Sequence, residues 1–593
     1  MSNDYDPDYV EKCRQAVMQY DMYRSEGTDP KWDPEQLRVF RSVWEHTPLP
    51  KTGQPLIFGF GRTKYEQSPY ITGEIANKNV DTWDPSDWET NRAKKAFQRA
   101  KAFFGTEYFK YHKTLGFGGN GLALHYRYTG DKSPKDVVIK LTLDAEYSGD
   151  IREEEHHLRK VSKAAHCVQI IEPEAIGRPP QAKYLLYPPS FDSSDESESS
   201  GEESVDEEPP RKKPRRLLTA AEQGKKAARW NARRARWKEQ QKGEDRGKDY
   251  LLLEYMEGGS IDGLIRRLIA VDRDRIQIIP NRVLWAIWLC LVRACVAMKY
   301  PPRKFHPGRH KGSAPSGSED LIETIPPPHK RWRAKRMVHF DIDPSNIFIG
   351  DFELTGAGTL GMGALSVGDS GSKGSKQGQD KKLDDREEGE HVFFPRLKLA
   401  DFGLAQTVKP HKRNRYYFWQ RALGKAGFLT PEQFGSEWDY IEPDPNGPQV
   451  SEQDMAGNYG SATNVWGMGL LMWIIITQND PPQPPQPQIP PGVVIPPNNN
   501  GNPRSIDQII RATNPDMPIS YCPLLMDGDS YGFVDEELRR TVYQCMYHRP
   551  SHRPTVEALL EQAVRGSKKA FPREGDDTVK EWVDRFILNA PLR

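Results

Sequence analysis

The stretch that most limits what this chain can fold into is Val338-His339-Phe340-Asp341-Ile342-Asp343-Pro344-Ser345-Asn346-Ile347-Phe348. Its apolar residues frame polar groups that chelate cations or accept protons, and that combination calls for a buried, irregular loop rather than a surface turn. On its own Asp343-Pro344-Ser345-Asn346 is ordinary turn chemistry. Its company raises it above that: a glycine-rich segment followed by Val137-Val138-Ile139-Lys140 lies upstream, and Asp401-Phe402-Gly403 lies downstream.

A chain of 593 residues can bury several cores, or one large two-lobed domain with decorations. Only 36% of it is hydrophobic, and 49 Pro and 48 Gly put much of it in loops or disorder. A formal net charge of +1 argues against a uniformly nucleic-acid-binding surface, while local charge runs still segregate strongly. Cys13, Cys167, Cys290, Cys295, Cys522 and Cys545 show neither metal-ligand spacing nor a disulfide framework, and Cys290 and Cys295 read as core thiols of an apolar helix. That usage suits a reducing compartment. No apolar stretch follows the acidic residues 1–6, and the longest apolar run, Val465 to Ile476, is too short to span a bilayer. The expectation is a soluble intracellular protein, nuclear or cytoplasmic, with no membrane partner.

Residues 1–105 read as a helical extension docked on the next domain. Tyr9, Val10, Cys13, Val17 and Tyr20 form an apolar stripe, and Asp33-Pro34 and Asp84-Pro85 are helix start signals ahead of Phe- and Trp-rich segments. From Phe109 the pattern becomes strand, glycine turn, strand, with a further strand over Asp136 to Leu141, a helix over 151–165, and strands over Val168 to Ile171 and Ala182 to Tyr187. An interruption at 190–248 follows: an acidic serine run suited to an acid-directed kinase, the basic cluster Arg211 to Arg216, and an Ala/Arg/Lys-rich stretch. The basic part, 211–242, is a candidate site for an acidic or nucleic-acid partner, and its 211–216 cluster for nuclear localisation. Order resumes with the strand Asp249 to Met256 and a core helix carrying Val283, Ile287, Leu291 and Cys295. Further insertions fall at 301–329, 356–390 and 481–503, the last a Pro/Asn-rich spacer or ligand for a proline-binding module.

The glycines Gly116-x-Gly118-x-x-Gly121-x-Ala123 sit between two strands, where backbone N–H groups can approach phosphates closely. No helical pattern follows, as a dinucleotide fingerprint requires, and no Lys-Ser/Thr follows Gly121, as a P-loop requires. With Lys140, the 338–348 loop and Asp401-Phe402-Gly403 in this order, the chain from about Tyr111 to Val564 resembles the eukaryotic protein kinases, and more loosely a divergent fungal branch of serine/threonine-kinase-like proteins. The resemblance implies an α+β, bilobal fold: a β-rich N-lobe at 106–257 with one main helix and an α-helical C-lobe at 258–565, interrupted by the four insertions and followed by a C-terminal tail at 566–593. It also implies ATP and Mg2+ as cofactors, a protein substrate, and transfer of the γ-phosphate to serine or threonine hydroxyls. Carried over by motif, Lys140 pairs the α- and β-phosphates, Glu154, with Glu155 as the alternative, orients that lysine, Asp341 accepts the hydroxyl proton, and Asn346 and Asp401 hold magnesium. Leu115, Gly116, Gly118, Gly121, Ala123, Val138 and Phe348 enclose the nucleotide, Leu253 guards the back of the pocket, and Glu254 and Met256 offer backbone hydrogen bonds to the base. Thr430-Pro431-Glu432 and Arg553 match a structural ion pair of the larger lobe.

The departures are as informative. Phe340 stands where many kinases have an arginine that couples to a phosphorylated activation segment, and Asn464 replaces an aspartate that accepts hydrogen bonds from the catalytic loop. The lysine expected two residues past the catalytic aspartate is Asp343, while a lysine, Lys425, stands where the family has a threonine. An uncompensated carboxylate beside Asp341 would repel the transferring phosphate, so the expectation is that Lys425 pairs Asp343 and supplies the missing cation. Three functional readings follow: an active protein kinase, a weak or inactive scaffold of the same fold that binds partners through its insertions, or a chain whose basic segment 211–242 is the main functional element with the kinase fold as its carrier. Lys409, Lys412, Arg413, Arg415 and Arg421 either attract an acidic substrate or are solvated.

Overall fold

A computed structural model describes residues 88–104, 109–118, 121–130, 135–143, 149–171, 250–272, 275–302, 320–327, 333–353, 359–360, 390–421, 423–435, 437–438, 447–481, 485, 487–488, 497, 501 and 518–589. The helices expected within 1–80, the strand at Ala182 to Tyr187 and the insertion 190–248 lie outside these residues, as do most of the other three insertions. The described chain falls into two compact units, one within 77–152 and 171–252, the other within 153–170 and 253–593.

The first unit is built on a sheet whose strands β1 (Phe109–Gly118), β2 (Gly121–Tyr128), β3 (Asp136–Leu141) and β4 (Tyr250–Glu254) lie in that order, β4 passing into the second unit at Leu253. β1 and β2 form an antiparallel hairpin closing at Gly118 and Gly121, and β2 runs antiparallel to β3 with Ala123 opposite Lys140 and His125 opposite Val138. Alternation then separates two faces. Leu122, Leu124, Tyr126, Val137, Ile139 and Leu141 are buried, while Ala123, His125, Val138 and Lys140 share the opposite face. Helix α1 (Trp88–Phe104) lays Ala93, Ala96, Phe97, Ala100 and Phe104 against its own unit, at the spacing of one helix face. The Phe104 ring meets those of Phe109, Tyr126 and Tyr250 at 5.9, 5.9 and 4.8 Å, and Arg99 donates to the carbonyls of Thr142 and Leu143 at 2.8 and 3.1 Å.

Helix α2 (Gly149–Lys160) leads into the second unit. Val168 to Ile171 do not continue as the expected strand. Gln169 turns its side-chain amide onto the carbonyls of Ala164 and Cys167, at 3.0 and 2.8 Å, and accepts the Lys163 N–H at 2.6 Å, so the segment curls and only isolated bridges remain at Cys167 and Ile170.

The rest of this unit is mainly helical. Helix α3 (Ile261–Val271) starts at a Ser260 cap that accepts the Gly263 N–H at 3.2 Å. Helix α4 (Asn281–Lys299) is apolar on nearly every side because nearly every side is covered. It is long and apolar enough to cross a membrane by composition, but almost all of it is buried in protein. Short strands follow: β5 (Met337–Val338), β6 (Ile347–Ile349), β7 (Phe352–Glu353), β8 (Thr359–Leu360), β9 (Leu397–Leu399) and β10 (Gln406–Thr407), paired β5 with β10, β6 with β9 and β7 with β8. Helices α5 (Asn414–Arg421), α6 (Pro431–Phe434), α7 (Ser461–Thr477), α8 (Glu536–Cys545) and α9 (Val556–Ser567) complete the core. Gly566 of α9 lies so close to α4 that a Cβ there would sit 2.1 Å from the Trp285 ring.

The residues expected as a C-terminal tail are folded. Helix α10 (Asp576–Val583) and the turn Asp584–Leu588 bury Val579, Trp582, Val583, Phe586 and Ile587, and Arg267 of α3 donates to the Phe586 carbonyl at 2.8 Å. Their apolar stripe at helical spacing explains why they pack.

Within the helical core Arg553 donates two hydrogen bonds to Glu432, at 2.8 and 2.7 Å, both side chains being fully buried, and Thr463 adds a third to Glu432 at 2.9 Å. Replacing Arg553 with Leu leaves a buried carboxylate without its partner and is expected to cost about 3–5 kcal/mol. Chemical denaturation of the two proteins measures this, and an unchanged midpoint would contradict it.

Candidate active site

The loop between β5 and β6 is held from below by one histidine. His339 donates from Nε2 to the Ala400 carbonyl at 3.0 Å and accepts the Asp341 N–H at Nδ1, at 3.2 Å, which fixes its tautomer. Burial pushes the ring down to about 4, so it stays neutral. Asn464 of α7 accepts the His339 N–H at 3.0 Å and donates to the Met337 carbonyl at 2.8 Å. Both ends of its amide are used, a bond pattern that a carboxylate could only half supply.

Asp341 is buried in this loop. Asn346 donates from Nδ2 to the Asp341 carbonyl and Oδ2, each at 2.9 Å, and to Asp343 Oδ2 at 3.1 Å, which turns its own Oδ1 away as the atom a cation would take. Asp343 caps the turn Pro344–Asn346 by accepting the Ser345 N–H at 2.7 Å. Lys425 reaches over from the segment after α5: its ammonium bonds Asp343 Oδ2, donates to Ser345 Oγ at 3.2 Å and lies 3.9 Å from Asp341 Oδ2. Gly424 makes the approach feasible. It adopts φ +105°, and a Cβ there would stand 2.4 Å from the Phe340 carbonyl oxygen. Asp401, itself at φ 57°, accepts the Gly403 N–H at 3.3 Å, and Phe402 beneath it packs edge-on against His339 at 4.8 Å.

Three carboxylates therefore gather around one ammonium. Burial raises the Asp341 carboxyl to about 7, with Lys425 opposing the rise and Asp343 and Asp401 adding to it. Burial works against the charge on Lys425, but Asp341 and Asp343 outweigh it and hold its pKa above the ordinary value. A desolvated cluster with a surplus of negative charge and hard oxygen donors at Asn346 and Asp401 fits a divalent cation such as Mg2+. Asp341 Oδ1 has no hydrogen-bond partner among the described residues, although it is buried.

The other expected site residues divide between the units. Leu115, Gly116, Gly118, Gly121, Ala123, Val138 and Lys140 all belong to the sheet unit. Gly121, at φ +126°, brings β2 so close to β3 that a Cβ would meet the Leu141 carbonyl oxygen at 2.4 Å. Leu115, Ala123 and Val138 are half-buried, and Lys140 is buried. In the helical unit, Glu155 accepts from Arg159 at 2.8 Å, one helical turn away, whereas Glu154 is the more deeply buried of the two. The Glu254 N–H donates to the Gln169 carbonyl at 3.1 Å, and its carboxylate is held by Lys398 at 2.9 Å, which also bonds Asp320 at 2.9 Å. The Met256 carbonyl accepts the Gly259 N–H at 3.4 Å, and Phe348, on β6, is half-buried.

One of the expected solvated or substrate-attracting cations is neither. Arg421 is buried, donates to the Gln433 carbonyl at 2.9 Å and lies 4.9 Å over the Trp438 ring, so it packs the core, whereas Lys409, Lys412 and Arg413 are exposed. Ser345 as a partner of Lys425 was missed in the sequence, as was a buried group of His166, Cys290, Glu323 and His391, whose members stand too far apart in the chain for any linear motif. No family model and no curated protein matches the chain.

A carboxyl raised to about 7 from an ordinary 3.8 keeps a proton in the folded state that the unfolded chain has already lost, so its burden on stability grows as pH rises from about 4 to about 7 and is full above that. Asp341→Asn removes the burden. Denaturation midpoints of the cation-free proteins across pH 4–8 should show the variant gaining on the wild type as pH rises; a pH-independent difference would refute the assignment.

Proposed function

We propose that the chain is an ATP- and Mg2+-dependent protein kinase that transfers the γ-phosphate to serine or threonine hydroxyls of protein. The observation that carries the reading is the state of Asp341: a buried carboxyl, raised to about 7, held through Oδ2 by Asn346, with Oδ1 left without a protein partner. A proton acceptor works best when its pKa lies near the working pH and its free oxygen faces the hydroxyl it serves.

In this reading Asp341 Oδ1 receives the acceptor hydroxyl's proton as its oxygen attacks the phosphate. Asn346 Oδ1 and the Asp401 carboxylate would hold Mg2+, which neutralises the charge on the phosphate oxygens. Lys425, kept charged by Asp343 and 3.9 Å from Asp341, supplies positive charge to the transferring group from a different element than the family's usual lysine. Lys140 takes the α- and β-phosphates, with the glycines of the β1–β2 hairpin giving backbone N–H groups to the phosphates. Mg2+ held at Asn346 and Asp401 would favour the ionised, proton-accepting form of Asp341 at neutral pH.

The test is transfer of labelled γ-phosphate from ATP to a panel of serine and threonine peptides by the full-length chain. Asp341→Asn should lower turnover by about 10²–10⁴-fold, and Lys425→Met should abolish it with nucleotide binding mostly kept. If the wild type binds ATP in the presence of Mg2+ but phosphorylates none of the panel, the scaffold reading replaces this one.

A further inference from the structure

The helical unit contains a second constellation, remote in sequence from every residue given a role above. His166, from the segment after α2, places its Nε2 3.0 Å from His391 Nε2. Cys290 of α4 puts its sulfur 3.9 Å from His391 Nδ1. One ligand atom from each of the three lies within 4.8 Å of the others, and all three side chains are buried. Glu323, fully buried, receives the His166 N–H at 2.8 Å and faces His166 Nδ1 at 2.6 Å.

The donor atoms decide what this group is for. A carboxylate against His166 Nδ1 takes that ring proton, which leaves a lone pair on Nε2. His391 turns its Nε2 to His166 and its Nδ1 to the Cys290 sulfur. The 3.0 Å between the two Nε2 atoms is the distance of one shared proton, and an ion that displaces that proton finds two imidazole nitrogens already converged. Sulfur and imidazole donors select a transition metal rather than Mg2+ or Ca2+, and a carboxylate behind a ligating histidine is the usual way of fixing its orientation.

We propose that His166 Nε2, His391 Nε2 and Cys290 Sγ bind one Zn2+-type ion, with Glu323 as the positioning residue behind His166. The charge closes: a divalent ion, one thiolate and one carboxylate sum to zero, which a fully desolvated site requires. Arg293 and Arg396 nearby leave that balance intact, since the first is paired with Glu390 and the second lies 3.7 Å from Asp320. Coordination forms the metal–sulfur bond and releases the thiol proton to solvent. The Leu397 N–H, 3.5 Å from Cys290 Sγ, stabilises the resulting thiolate. Donors at about 2.0–2.1 Å for nitrogen and about 2.3 Å for sulfur require the two Nε2 atoms to part slightly from their 3.0 Å separation, and they leave one position for a water. The ion would tie α4 to the segments on either side of it in sequence.

The experiment strips the full-length chain with a chelator and titrates it with Co2+ as a spectroscopic probe, then with Zn2+ in competition. The expected result is uptake of one ion per chain with a thiolate-to-cobalt charge-transfer band, absent in Cys290→Ser, and an affinity lowered about 10–100-fold in Glu323→Gln. Glu323→Gln keeps the shape of the pocket and serves as the readout should Cys290→Ser fail to fold. Absence of stoichiometric uptake by the wild type, or a band that survives Cys290→Ser, overturns the proposal and leaves the four residues as a proton-sharing network.

Discussion

The constraint on which the candidate site depends is charge in a place with little water. Asp341, Asp343 and Asp401 stand close enough to influence one another, and burial alone would neutralise at least one of them. Lys425 opposes that outcome by bonding Asp343 and standing within reach of Asp341, and the Asp341 carboxyl still rises to about 7. Ser345 and Asn346 fill the remaining hydrogen-bond positions of Asp343, so the extra carboxylate is satisfied on every side that the loop offers. The pair is therefore better regarded as one unit than as an acid and a base. Removing Lys425 leaves three neighbouring carboxylates without the ammonium between them, which is the costly case for buried ions.

Phe340 sets the second condition. Its backbone takes φ 63°, a strained choice for a residue with a side chain, and it turns the ring into a cluster with Val408, Tyr417, Trp419, Trp438 and Tyr459, meeting Tyr459 edge-on at 5.2 Å. Arg421, stacked on Trp438, belongs to the same packing. The segment from Val408 to Gly424 is thus tied to the loop by apolar area and rings. An arginine at 340 would place a charge in this cluster and would need a counter-ion to hold it.

How much of this was legible in the sequence depended on how each feature is encoded. The hairpin around Gly118 and Gly121 and the strand over Asp136 to Leu141 follow from local alternation and glycine, and their observed bounds agree with that reading. The Lys425–Asp343 juxtaposition could be inferred only because two departures from one motif pattern suggested mutual compensation. The curl at Gln169 could not, because a side chain bonding its own neighbourhood overrides the β-branched and apolar run that signals a strand. Nor could the packing of Trp582 and Phe586, since α3, whose Arg267 bonds the Phe586 carbonyl, is remote in sequence. The His166, Cys290, Glu323 and His391 group escaped for the same reason: no local spacing records a cluster assembled from four separate stretches.

That last group belongs to a wider pattern. Asp320 and Leu321 emerge from one insertion directly onto fixed partners, Asp320 onto Lys398 and Leu321 onto the main chain of Lys163 and Ala164. Glu390 and His391 emerge from another, the first bonded to Arg293 and the second to His166. Loop-closure entropy rises only as the logarithm of length, so a long insertion costs little more than a short one once its ends are held. The burden falls on the residues at the ends, and here they are buried, charged or ring-bearing groups with specific partners, where ordinary loop ends would be exposed. Such polar anchors are sensitive to register, since a shift by one residue at Glu390 would take the buried Arg293 guanidinium from its counter-ion, and one at Asp320 would leave Lys398 with Glu254 alone. The core thereby fixes where these two insertions rejoin it.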